Sequence, residues 1–263
     1  MSAKITSLRT RLLDFPILTL LHPREQTPLL IAGLLAGIVS GSLVMRWLDW
    51  PFWTAVAIVL LVLLIPGVFK WRADQRRYGA TVMGVSFMLV TQGFHTIEHI
   101  AQWVQYHVLG WTMRASSGLI SPANSEWVHF VWNWTVVLVM TLLVWRGVRN
   151  FWAWLALLWS VAHAGEHTYM FIRHLQVLGE LSGLGITDIT AQGLPGILGR
   201  DGWLARNAAV CGVFLSRLPG LTTAVRLDVH FWWNIGEVSL LAMAAHTFLK
   251  SALSGRLMPP SNS

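Results

Sequence analysis

Six stretches of this chain run for about twenty residues or more with almost no charge, and that pattern leaves few folds open. They span roughly Pro28–Leu48, Pro51–Phe69, Tyr78–His107, Glu126–Trp145, Phe151–Arg173 and Asp228–Phe248. In hydrocarbon, every backbone N–H and C=O must be satisfied internally, so a run of this length crosses as a helix. Only 12% of residues are charged and 54% are hydrophobic, against about 25% charged in soluble domains. The expected fold is therefore an all-α integral membrane protein with about six transmembrane helices. Sixteen tryptophans fit the two interfaces of such a protein.

The organisation follows from the same pattern. Residues 1–26 form a basic arm at the cytoplasmic interface, carrying Lys4, Arg9, Arg11 and Arg24. Residues 27–249 form the membrane domain, and 250–263 a polar tail. The one long connection, 176–226, is rich in glycine, and its Trp203–Leu218 stretch reads as a short helix lying on the membrane. Its length suits a lid or a linker equally. Of the nineteen lysines and arginines, twelve fall on the face that carries both termini and seven on the other. The positive-inside rule then places both termini in the cytoplasm, as expected for a bacterial inner membrane protein. The net charge of +7 belongs to this asymmetry, and no nucleic-acid partner is expected. A single cysteine, Cys211, excludes an internal disulfide and any multi-cysteine metal site. No cleavable signal is expected.

Chemistry enters through ionisable groups inside these apolar runs, where they are costly and usually functional. The third span carries His95-Thr-Ile-Glu98-His99 and the fifth carries His163-Ala-Gly-Glu166-His167. Spacings of three and four put each trio on one helix face. The fourth span opens Val-His129-Phe-Val-Trp-Asn133 and the sixth opens Val-His230-Phe-Trp-Trp-Asn234. The chain thus repeats one unit: a helix with H-x-x-E-H near its outer end, a connection, and a helix beginning V-H-F-x-W-N. Spans 3–4 and 5–6 form a tandem parallel repeat around a His/Glu cluster. Antiparallel neighbours bring His95, Glu98, His99, His129, His163, Glu166, His167 and His230 to one depth, toward the extracytoplasmic side.

Six imidazoles and two carboxylates suit two metal ions, iron first, then copper or zinc. Asn133 and Asn234 lie one turn beyond His129 and His230 and are placed to orient the imidazoles. Glu237, two turns from His230, is the candidate catalytic group, as a further ligand or a proton carrier. His107, His174 and His246 lack a repeat partner and read as hydrogen-bonding groups between helices.

The use of several histidine motifs in membrane helices is similar in strategy to the membrane fatty-acid desaturases and hydroxylases. The H-x-x-H-H box of that family is absent here, so no family membership is drawn. The expected function is a membrane metalloenzyme, an oxidoreductase or oxygenase acting on a lipophilic or small apolar substrate. Its partners would be the lipid bilayer, that substrate, and an electron-donor protein or larger membrane complex. Two other classes remain open: a haem- or pigment-ligating subunit of such a complex, and a metal or proton transporter.

Overall fold

Long runs of Leu, Val, Ala and Trp, broken only at Pro, Gly and Asp, determine where helices begin and end. The computed structural model describes residues 16–187, 194–207, 218 and 220–257, and the regular elements among them are all helical, without a strand. A short helix α1 (Pro16–Leu21) and a 3-10 turn (Arg24–Gln26) lead into α2 (Thr27–Leu48). Then follow α3 (Phe52–Tyr78), α4 (Ala80–His107), α5 (Glu126–Trp145), α6 (Phe151–Ser182), α7 (Trp203–Arg206) and α8 (Arg226–Leu257). The breaks are local. Asp49 turns left-handed at φ +53° ahead of Pro51, which cannot continue a helix, and Gly79 at φ +92° separates α3 from α4.

Four segments are long and apolar enough to cross a membrane: Arg24–Leu48, Phe52–Tyr78, Ala80–His107 and Glu126–Trp145. The helices α6 and α8 have 32 residues each but are not among the four. His163, Glu166 and His167 in one, and Arg226, Asp228, Asn234 and Glu237 in the other, lower their apolarity. Helices α3, α6 and α8 also run about a turn or more past the apolar stretches that announced them. Hydropathy marks the thickness of hydrocarbon, whereas Ala, Gln, Arg and Leu beyond it still favour helix. The outward placement of Leu35, Ile38, Val39 and Leu61, 49–67% exposed, fits lipid rather than water around α2 and α3.

The chain divides into two compact units. The first comprises residues 1–93, 139–157 and 238–263. Within it, α2 and α3 approach closely through small residues: a Cβ on Gly41 would stand 2.9 Å from that of Ala55, and one on Gly37 3.0 Å from the Val59 Cα. A buried charge cluster sits in this unit. Lys70 Nζ donates to Asp74 (2.6 Å) and to Ser86 Oγ (2.7 Å), and Arg24 also reaches Asp74 at 3.1 Å. The basic residues of 1–15 and the tail 258–263 lie outside the described residues.

The second unit comprises residues 94–138 and 158–237, and contains every residue of the two H-x-x-E-H motifs and the two V-H-F-x-W-N helix starts. Residues 176–182 of its long connection continue α6, and α7 is the only separate helix within it among the described residues. Positions 208–217 and 219 of the expected surface helix, Cys211 with them, lie outside the described range.

Candidate metal centre

The i, i+4 spacing stacks His95 over His99 on α4 and His163 over His167 on α6. His129 lies in the first turn of α5 and His230 in the second turn of α8. The six rings meet in one cluster. Centroids lie 4.7 Å apart for His95–His99, 5.4 Å for His99–His129, 5.5 Å for His95–His129 and 5.6 Å for His99–His230. His167 is 5.0 Å from His129, 4.9 Å from His230 and 5.0 Å from His163. His95, His99 and His129 form a group able to hold a metal ion, with one ring nitrogen of each within 4.8 Å of the others.

Burial makes the cluster informative. The Nε2 atoms of His95, His99, His129, His163, His167 and His230 are all buried and find no hydrogen-bond partner within the protein. A buried polar atom without a partner costs about 1–3 kcal/mol, so six facing one another require an explanation. The other ring nitrogens supply one. His99 Nδ1 lies 2.9 Å from Gln102 Oε1, and the Gln102 amide nitrogen donates in turn to Asn124 Oδ1. His129 Nδ1 lies 3.2 Å from the Ser125 carbonyl, and His163 Nδ1 3.2 Å from Glu237 Oε2. Each of these oxygens accepts, so Nδ1 carries the hydrogen and Nε2 keeps its lone pair, aimed at the cluster. This is the arrangement in which the atoms around a metal-binding imidazole fix its tautomer.

Glu237 thus stands behind His163 rather than inside the ring of imidazoles. Its other oxygen accepts from Ser160 Oγ at 2.5 Å. Trp233 stacks on the face of His163, with centroids 5.2 Å apart and planes 6° from parallel. The two asparagines are placed alike: Asn133 Nδ2 donates to the His129 carbonyl at 2.9 Å, Asn234 Nδ2 to the His230 carbonyl at 3.0 Å. These are bonds to the preceding helical turn, which position the backbone of each histidine and not its ring.

Glu98 and Glu166 turn to the connections that follow their helices. Glu98 accepts the N–H groups of Leu119 and Ile120 at 2.9–3.0 Å, and Glu166 those of Ile197 and Leu198 at 3.0–3.3 Å. Each carboxylate lies against a glycine, Gly118 and Gly196 respectively, where a Cβ would collide with it. Both glutamates therefore anchor a loop over the cluster.

A buried ion pair escaped the sequence reading. Glu126, 1% exposed at the start of α5, pairs with Arg226 at the start of α8. Arg226 also donates to the Leu194 carbonyl at 2.5 Å, and Glu126 Oε2 lies 3.9 Å from His167 Nδ1. The signal was there, as opposite charges three and four residues ahead of His129 and His230, but a glutamate in the first turn of a helix also simply complements the helix dipole. Gln102 and Asn124 were missed too. Arg226 lines a cavity of about 10 Å³ with His99, His129, His230, Gln102 and Asn124, room for one water-sized group. Of the histidines without a repeat partner, His107 bonds Asp228 at 2.7 Å, and His174 Nδ1 is buried without a partner.

No protein-family model, curated protein or solved structure matches this chain.

Proposed function

We propose that this chain is a six-span membrane metalloprotein that holds two metal ions between its tandem helix pairs and works as an oxidoreductase on a lipophilic substrate. The observation that carries the reading is the set of six clustered imidazoles whose buried Nε2 atoms have no hydrogen-bond partner, three of them with ring nitrogens within 4.8 Å of one another. His95, His99 and His129 would hold one ion, and His163, His167 and His230 the other. Rings that stack or tilt directly on one another, such as His129 on His167 at 8°, leave no slot for a macrocycle, which favours bare ions over haem or pigment.

The donor set also selects among metals. With Glu98 and Glu166 committed to loop N–H groups, what faces the centre is imidazole alone. Mixed carboxylate and imidazole sets suit non-haem iron, whereas imidazole sets follow the affinity order that peaks at copper. Copper thus moves ahead of iron, with zinc third. A bound redox metal would supply one-electron chemistry and a site for a small oxygen ligand. The chain's own residues hold His99, His129 and His163 as neutral Nδ1–H tautomers, keep bulk water out by burial, and leave a water-sized cavity beside Arg226.

Metal analysis by inductively coupled plasma mass spectrometry on protein purified from membranes tests this. About two ions per chain, falling when His99 and His167 are changed to Ala, is the expected result. Stoichiometric absence of metal after purification and reconstitution with copper or iron would sink the proposal.

A further inference from the structure

Beside the histidine cluster, in the same unit, lies a second cavity with different chemistry. It measures about 650 Å³, within the ~300–1,000 Å³ range of small-molecule sites. Its walls include Trp159, Trp232, Trp233, Leu198 and Leu221, and Asp228 is the only ionisable residue lining it among the described residues. The tryptophan wall is built, not incidental. Trp159 Nε1 donates to the Trp233 carbonyl at 2.9 Å, and the two indoles meet edge to face at 4.9 Å. Gly236 lets Trp159 lie against α8, where any Cβ would strike the indole. Trp233 lines the cavity and is also stacked on His163, so one indole separates its contents from the cluster.

The polar end is equally defined. Asp228 Oδ1 is held by His107 Nε2 at 2.7 Å, and the pair is a quarter to a third exposed. Its second oxygen can accept from a ligand. Among the described residues no lysine or arginine lines the cavity, so a phosphate head would meet the carboxylate there without a countercharge from them. A hydroxyl head would instead donate to it.

We infer that this cavity binds a neutral, hydroxyl-bearing lipophile, with its apolar body between the tryptophans and its hydroxyl on Asp228. As the substrate of the neighbouring centre, this ligand rests on the metalloprotein reading; as a binding site it does not, and its test uses metal-free protein. The same apolar walls could take a bilayer phospholipid chain, and the experiment separates the two sources.

Binding of radiolabelled farnesol and of farnesyl phosphate, which share one chain, is measured on the full-length protein in detergent micelles after chelator treatment. The expected result is saturable farnesol binding, with farnesyl phosphate at least about tenfold weaker. Ala224→Phe, which fills the cavity, abolishes farnesol binding. Asp228→Asn narrows the difference between the two probes to about threefold or less. The Asp228→Asn comparison stands even if Ala224→Phe fails to fold. Equal affinity for both probes in the unaltered protein overturns the inference, as does discrimination unchanged by Asp228→Asn. Native mass spectrometry that finds a phospholipid lost only from Ala224→Phe gives the cavity to the bilayer and overturns it too. Farnesol binding by a protein that holds no metal as purified and takes none up on reconstitution would leave this site standing and the metal centre fallen.

Discussion

The two motif pairs agree in their outer contacts and differ in what stands behind the imidazoles. Glu98 and Glu166 both clamp a following loop by its N–H groups, and Asn133 and Asn234 both bond the carbonyl one turn back. The supports of the rings are not shared. In the first pair, Gln102 and Asn124 hold His99 from the loop side. The matching positions in the second pair are Met170 and Val225. There Glu237 and Ser160 hold His163 from within the helices, where the first pair has Val136 and Gln92. An amide backs one trio and a carboxylate the other. A carboxylate raises the donor strength of its imidazole, so under the proposed two-ion centre the ion on the second trio should be bound more tightly.

The largest effect expected from breaking this comparison comes from the ligands. His99→Ala and His167→Ala should each remove about one ion per chain, and the double substitution nearly all metal, read by mass spectrometry of the purified protein. Acid should act next. Metal competes with protons for imidazole, so affinity falls as pH drops, by about tenfold per pH unit for each imidazole proton that displaces it. Equilibrium dialysis against a chelator from about pH 4 to pH 8 checks the sign: retention highest at pH 8 and falling toward the acid end.

The supports distinguish the two halves more finely. Glu237→Gln should weaken one ion by about 10–100-fold and leave the other unchanged. Gln102→Leu should weaken the opposite ion, and by less, because a neutral amide is lost. A stepwise chelator titration that shows both ions shifting together in either variant would break the assignment of three histidines to each. The smallest effect belongs to the clamps. Glu98→Gln and Glu166→Gln should each cost about 1–3 kcal/mol by weakening the bonds to loop N–H groups, a drop of several degrees in Tm. Metal content should stay at its original level. Loss of metal at unchanged Tm would make these carboxylates ligands after all.

Much of the fold was legible in the sequence because hydrophobic length and helix breakers are local signals. The six expected apolar stretches fall in helices α2 to α6 and α8, four of which are long and apolar enough to cross a membrane, and Asp49–Pro51 and Gly79 end helices where backbone chemistry requires. The helix ends at Tyr78, Ser182 and Leu257 were not legible, since polarity announces the membrane surface and leaves helicity free to continue. The cluster was legible as well: two H-x-x-E-H faces and two histidines at helix starts were expected at one depth, and the six rings do meet. The partners of the carboxylates were not. Glu98 and Glu166 share their helix faces with the histidines, and spacing alone assigns them to the same centre.

What the sequence determined by itself was therefore periodic: which residues are helical, which are buried in apolar surroundings, and which imidazoles share a face. Only the tertiary structure decided which atom meets which. A glutamate at the outer end of a helix can reach inward to the cluster or outward to a loop, and Gly118 and Gly196 settle it by letting a backbone come within hydrogen-bonding distance. Arg226 and Glu126 become one buried pair only when two helix starts a hundred residues apart are brought together. Helical spacing is a property of neighbours along the chain. The choice among hydrogen-bond partners is made by groups far apart in it, through distances that no local pattern contains.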